Sequence, residues 1–243
     1  GRWSQRRQMP VLTRTGTRKR DMPIIHKHTG PDYSVAIWQI NESTDELAML
    51  HPMGATWLLS VKEIPAHLQA IKLAERLLID TLCPEAAGDF SHAPSGMPYL
   101  KNHDTQISIS HTRHMVGLET SRTKTPGIDL EYVTPRARKI LPRICCREEL
   151  RLLDCAPHEQ DLMATLIWCG KEAMFKSARG DINTVSQVKI TQIVQTPTPY
   201  LRAEYQTEDT VVEKDFNYML IDGNCLLVSS KDATPGNISF TDK

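Results

Sequence analysis

The apolar and polar positions of this chain fall into segments of two periods. From residue 65 to 82, Leu68, Ile71, Leu73, Ala74, Leu77 and Leu78 recur at the spacing of one helix face, while Lys72, Glu75 and Arg76 supply the polar side. This predicts a long amphipathic helix. Residues 33–40 (YSVAIWQI) are β-branched and aromatic with partial alternation and predict a strand, with Val35 and Ile37 on one face. Residues 106–109 and 115–120 read as two short strands across a tight His-Thr-Arg-His turn, an antiparallel hairpin. Between helix and hairpin, residues 83–102 are punctuated by Pro84, Gly88, Pro94, Gly96 and Pro98 and predict a loop.

A second unit of the same kind follows. Residues 127–131 form a short strand after Pro126. Residues 148–153 and 161–178 are helical, the latter with Leu162, Leu166, Ile167, Met174 and Phe175 as its buried face. Strands follow at 188–194, 200–205 and 218–229, the last broken by the turn signal Asp222-Gly223-Asn224. The order predicts an α+β protein of two similar halves, residues 23–125 and 126–243, each a small antiparallel sheet with a long helix. No direct sequence repeat accompanies the architectural one.

Charge changes the picture at one end. Lys+Arg and Asp+Glu are both 29, but residues 1–20 hold seven of the basic residues and no acid, leaving a body of net −7. A body of that sign argues against nucleic-acid binding. The basic segment has no apolar core of a signal peptide and no amphipathic face. Met22 followed by Pro23 would make a natural start, so residues 1–22 are expected to be a flexible basic leader, disordered or not native to the protein. No apolar run approaches the roughly 18 residues that span a bilayer, which excludes membrane insertion. The six cysteines form no C-x-x-C pair. That usage suits a reducing, cytoplasmic compartment, with cysteines as small buried apolar residues rather than zinc ligands.

The densest polar cluster is Gly127-Ile128-Asp129-Leu130-Glu131, followed by Trp168-Cys169-Gly170-Lys171-Glu172-Ala173-Met174-Phe175-Lys176. On a strand, Asp129 and Glu131 point to the same side. Two carboxylates in one small volume repel unless a cation or proton intervenes, and carboxylate oxygens are the ligands Mg²⁺ prefers. On the later helix Glu172 and Lys176 share a face, so a third carboxylate and an ammonium could join the pair. Three carboxylates, a metal and a lysine suit a phosphate-bearing substrate. Each pattern alone is also a commonplace solvated surface.

Taken together, these segments resemble the 4′-phosphopantetheinyl transferases of the larger, pseudo-dimeric surfactin-synthetase type. The (V/I)-G-(I/V)-D-x-E strand of that family stands here as Gly127 through Glu131, and its W-x-x-K-E-x-x-x-K helix as Trp168 through Lys176. Its G-K-P-x-(L/F) loop resembles Gly96-Met97-Pro98-Tyr99-Leu100, and its (N/S)-(I/L)-S-H-(S/T) segment matches Ser108 through Thr112. The helix bearing Arg76 looks like the family's Arg-bearing helix. The resemblance covers residues 65–180.

It implies transfer of the phosphopantetheine arm of coenzyme A to a serine of an apo acyl or peptidyl carrier protein, the holo-acyl-carrier-protein synthase reaction, by a monomer with its active site in the cleft between the halves. By the resemblance, Asp129, Glu131 and Glu172 hold Mg²⁺, with Mn²⁺ as an alternative. Glu172 and Lys176 are the catalytic pair, Glu172 taking the serine proton. Arg76, Gly96, Pro98, Ser110, His111, Asp129 and Lys176 contact coenzyme A, His111 near its 3′-phosphate.

Two positions depart from the family pattern. Met97 stands where a lysine is expected, removing a cation near coenzyme A, and Gly170 sits inside the helix, where glycine costs about 1 kcal/mol relative to alanine. Two other classes stay open: a Mg²⁺-dependent phosphodiesterase acting on coenzyme A or nucleotides with water as nucleophile, and a non-catalytic relative that only binds carrier proteins. Trp168, Met174 and Phe175 are expected in the core, Cys169 as a buried small residue. Arg136, Arg138, Lys139, Arg143 and Arg147 are the candidate contacts for an acidic carrier protein.

Overall fold

The computed structural model describes residues 23–86, 88–195 and 197–231; the expected leader at 1–22 lies outside them. The chain runs through β1 (Ile24–Thr29), β2 (Ser34–Gln39), α1 (Thr44–Ala48), α2 (Gly54–Ser60), α3 (Ala66–Leu82), β3 (Phe90–His92), β4 (Pro98–Leu100), β5 (Gln106–His111) and β6 (Met115–Ser121). These build a four-stranded sheet in the order β1-β2-β6-β5 and a separate β3-β4 pair. Then come β7 (Asp129–Tyr132), α4 (Arg136–Ile140), α5 (Arg147–Leu150), α6 (Gln160–Ser177), β8 (Val188–Val194), β9 (Tyr200–Gln206), β10 (Val211–Ile221) and β11 (Cys225–Ser230). Their sheet has the order β7-β11-β10-β9-β8, and every pairing is antiparallel. The protein is α+β, with one long helix to each larger sheet.

The partial alternation of β2 has a physical reason. Ala36 and Trp38 pack under Leu73, Ala74, Leu77 and Leu78 of α3. Val35 and Ile37, on the opposite face, meet Ile128, Leu130 and Leu227 of the second sheet. Apolar side chains on both faces erase the alternation expected of a half-solvated strand. The second sheet is likewise covered by α6, whose Leu166, Ile167 and Met174 pack with Leu201, Phe216, Leu226 and Val228. The two sheets thus meet through a shared apolar layer, with a helix cluster on the far face of each.

Gly170 lies where α6 presses on that sheet: a Cβ there would come within 2.9 Å of the Leu201 methyls and 3.0 Å of Ile190 Cδ1. Close packing, rather than helix propensity, explains the residue.

Three expectations are corrected. Residues 83–102 are not all loop, because β3 and β4 pair across a turn in which Ala93 N donates to Met97 O at 2.9 Å and Gly96 adopts φ +87°. Pro98, which lacks an N–H, is tolerated at the end of so short a pair. The last hairpin starts at Val211 rather than 218; its charged residues are accommodated by cross-strand pairing, Arg202 Nε donating to Asp215 Oδ1 at 2.7 Å. Glu75, assigned to the polar face of α3, is buried, and Lys72 Nζ closes on both its oxygens at 2.8 and 2.9 Å. The cysteines are all free: Cys83, Cys169 and Cys225 are buried, Cys145 and Cys155 half-buried, and Cys146 exposed.

Candidate active site

β7 carries the site, and two serines of β5 hold it in place. Ser108 Oγ accepts from Ile128 N at 3.2 Å and Ser110 Oγ from Leu130 N at 3.1 Å. One edge of β7 pairs with β11; on the other, serine hydroxyls replace a strand partner and satisfy buried backbone donors. The Ser-Ile-Ser alternation does this because both hydroxyls fall on one side of β5. Gly127 fits where the chain enters β7 against α6: a Cβ would lie 2.4 Å from the Ala173 carbonyl oxygen. Only glycine permits that approach.

The acidic residues then converge on one hollow. Asp129 is buried, and its Oδ1 accepts from Ser110 Oγ and from Lys176 Nζ, each at 2.8 Å. Lys176 Nζ also donates to the Ile128 carbonyl at 3.0 Å. Asp129 Oδ2 is buried without a hydrogen-bond partner among the described residues. Glu131, two residues along, accepts from Trp168 Nε1 at 3.3 Å. Glu172 of α6 makes no hydrogen bond among the described residues. Asp129, Glu131, Glu172 and Lys176 line a cavity of about 310 Å³ together with Ser110 and His111, so both larger sheets and α6 contribute to its wall.

Crowding sets the protonation of these groups. Burial and then the Asp129 charge push Glu172 up to about 6, Lys176 opposing them. Burial and Asp129 also raise Glu131, against the hydrogen bond from Trp168. Burial pulls His111, at the cavity rim, below the usual imidazole range; Glu75 opposes this, while Lys72 and Lys176 add to it. Cys169 is fully buried and its thiol pushed well above its ordinary value, first by burial and then by Asp129 and Glu131. It is no nucleophile at neutral pH.

This donor set fits a hard divalent cation in chemistry. Three carboxylates face one cavity, two of them raised by burial and mutual repulsion, and one buried oxygen lacks a partner among the described residues. Among the described residues no three ligating side chains are already drawn into a metal cage; the carboxylates share a cavity, with Lys176 against Asp129.

The remaining sequence candidates lie around this centre. Gly96 and Pro98 line a second cavity, which Lys176 and Ile109 share with the first. Arg76 lies over the Trp57 ring, 5.7 Å from its centroid. It faces neither cavity, but its charge, with that of Lys72, acts on His92. Ser110 is engaged with Asp129 and Leu130, so it supports the carboxylate. Sequence reasoning missed His92 and Lys72, which sit electrostatically beside His111 and Arg76; Trp168 borders the core as expected, and its indole N–H also holds Glu131.

Residues 125–220 match the family model of the 4′-phosphopantetheinyl transferase superfamily. The match spans about two fifths of the chain, and β7, α6 and every carboxylate of the cavity lie within it. No curated protein matches the chain. Among the described residues no helix is long and apolar enough to cross a membrane.

Proposed function

We propose that this protein transfers the 4′-phosphopantetheine arm of coenzyme A to a serine of an apo acyl or peptidyl carrier protein and releases adenosine 3′,5′-bisphosphate, with its active site in the cleft between two pseudo-symmetric halves. One observation carries this reading: Asp129, Glu131, Glu172 and Lys176 line a single cavity and all lie within the stretch that matches this superfamily.

The side chains divide the work. Glu172 has no hydrogen-bond partner among the described residues and, with its pKa near 6, is ionised at neutral pH. It takes the proton of the serine hydroxyl as that oxygen bonds to the β-phosphorus. The bond from this phosphorus to the bridging oxygen breaks, and that oxygen leaves with the bisphosphate. Lys176, held by Asp129 and the Ile128 carbonyl, donates to phosphate oxygens as charge grows on them and to the departing phosphate. Mg²⁺ or Mn²⁺ bound by Asp129, Glu131 and Glu172 would supply Lewis-acid neutralisation of the pyrophosphate. His111, at the rim of the carboxylate cavity, offers a ring nitrogen on the side given to the nucleotide. Arg76 lines neither cavity and contributes only its charge from behind Trp57, and Gly96 and Pro98 line the neighbouring cavity. Exposed Arg136, on α4 beside Glu131 and Trp168, leads the surface offered to an acidic carrier protein; Arg138 is tied to Asp161 at 2.5 Å.

The test is intact-mass spectrometry of an apo carrier protein incubated with the protein, coenzyme A and Mg²⁺, with EDTA and carrier-free controls. A phosphopantetheine-sized mass gain that EDTA abolishes is expected. Cleavage of coenzyme A without a carrier would replace the transferase by a hydrolase.

A further inference from the structure

The second cavity, of about 490 Å³, has the size of a small-molecule site. Its walls are largely apolar, with Met97, Pro98, Ile109, Phe175 and Ile182 among them, and its cations are Lys176 and Arg179. Lys176 already donates to Asp129 and the Ile128 carbonyl. Arg179 is different: it is half-buried, it donates from Nη1 to the Ile107 carbonyl at 3.1 Å, and it meets no carboxylate among the described residues. A guanidinium has five N–H donors in a rigid fork, so this one is oriented by a single bond and keeps donors in hand.

Its backbone is unusual too. Arg179 follows the end of α6 with φ +55°, in the left-handed region that normally selects glycine, although Gly180 is the next residue. Strain of this kind persists where the surrounding structure holds it, and clusters at ligand sites.

We infer that Arg179 anchors the nucleoside arm of the substrate in this cavity, supplying the cation that the loop residue Met97 does not. The inference rests on the transferase reading, because it takes the pyrophosphate to lie beside Lys176, where the two cavities join. Two arms leave that pyrophosphate. The pantetheine arm carries no charge and offers a guanidinium only neutral acceptors, its amides and one hydroxyl. The nucleoside arm brings a flat base, which suits apolar walls and stacks on a guanidinium, and a 3′-phosphate, which pairs with one.

Calorimetric titration of the full chain in Mg²⁺ with coenzyme A, dephospho-coenzyme A and 4′-phosphopantetheine tests this, using Arg179→Gly and Arg179→Gln. Glycine suits φ +55°, and glutamine retains a donor for the Ile107 carbonyl, so between them the fold is protected. The expected result is coenzyme A binding weakened by at least about tenfold in both variants, about 1.4 kcal/mol, with affinity for 4′-phosphopantetheine held within about twofold. A loss that persists with dephospho-coenzyme A assigns the contact to the base, and one that vanishes assigns it to the 3′-phosphate. Wild-type affinity for coenzyme A in the variants overturns the inference and leaves the transferase reading intact, as does an equal loss for both arms. A wild-type protein that binds no coenzyme A overturns the transferase reading and the inference with it.

Discussion

Two charged clusters sit on two faces of α6, one residue apart in the chain, and they have opposite characters. On the sheet face Lys171 is completely buried and meets Glu149 Oε1 at 2.7 Å; it also donates to the Val188 carbonyl. Glu149 accepts from Ile190 N and Cys146 N, each at 2.9 Å. Every charge has its partner inside the chain. On the cavity face Glu172 has no hydrogen-bond partner among the described residues, Asp129 keeps an orphan oxygen, and the carboxyls are raised by burial and repulsion. A closed cluster serves the fold; an open one is arranged for something the chain does not itself contain.

The largest effect should come from opening the closed cluster. Lys171→Met strands Glu149 as an uncompensated buried charge and should cost about 3–5 kcal/mol of stability, measured by urea unfolding. Glu172→Gln, at the adjacent position, should leave stability unchanged or raise it by about 1 kcal/mol above pH 6, because a carboxylate that burial disfavours is removed. Equal losses from the two substitutions would erase the distinction between the clusters.

Activity should show the reverse. Glu172→Gln and Asp129→Asn should each lower carrier modification by about 10²-fold or more, the usual scale for loss of a general base or an electrostatic partner, while far-ultraviolet circular dichroism stays native. A fully active Asp129→Asn protein would dissolve the open cluster as a functional unit.

A third carboxylate tests the rule between the halves. Glu119 is fully buried on β6, accepts from Ser230 N of β11 at 3.2 Å, and is pushed up by burial to about 7. Lys214 of β10 is pulled down by burial to about 8, Glu119 opposing the shift, and donates to the Thr125 carbonyl and to Ser177 Oγ. Between about pH 4.5 and 7 the folded protein keeps a proton on Glu119 that the unfolded chain has released, so stability falls as pH rises through that window. Above about 8 the folded protein gives up the Lys214 proton before the unfolded chain does, and stability recovers. The pair should therefore produce a trough near pH 7–8. Glu119→Gln should remove its lower edge, a gain on the order of 2 kcal/mol at pH 7.5, readable as urea midpoints across pH.

Much of this was legible in the chain. The helical period at α3, the hairpin of β5 and β6, and the i, i+2 placement of Asp129 and Glu131 followed from spacing alone. What escaped has physical reasons. The box Ser43-x-x-Glu46 that starts α1, with Glu46 N donating to Ser43 Oγ at 3.3 Å, is a sequence signal that was overlooked. The β3-β4 pair was hidden by prolines and glycines that also mark loops. Gly170 looked like a defect because the Leu201 side chain that excludes a Cβ is 31 positions away. Nor could the motif divide Lys171 from Lys176: both are lysines on one helix, and only the sheet beneath decides which is sealed.

The smallest effect belongs to an uncharged residue at the edge of the open cluster. Trp168 Nε1 donates to Glu131 at 3.3 Å, a hydrogen bond that favours the ionised carboxyl. Trp168→Phe keeps a ring for packing and deletes this donor. A hydrogen bond to a carboxylate is worth about 1.5 kcal/mol net at the weak end that a 3.3 Å contact occupies, so activity should fall by about tenfold. The pH profile should move as well: with burial and Asp129 no longer opposed by the indole, Glu131 rises further above the usual carboxylate range, and the acid limb of the rate profile shifts to higher pH. A packing role alone would lower the thermal midpoint and leave that limb where it was. A shifted limb with an unchanged midpoint would place Trp168 with the cavity rather than with the core it borders.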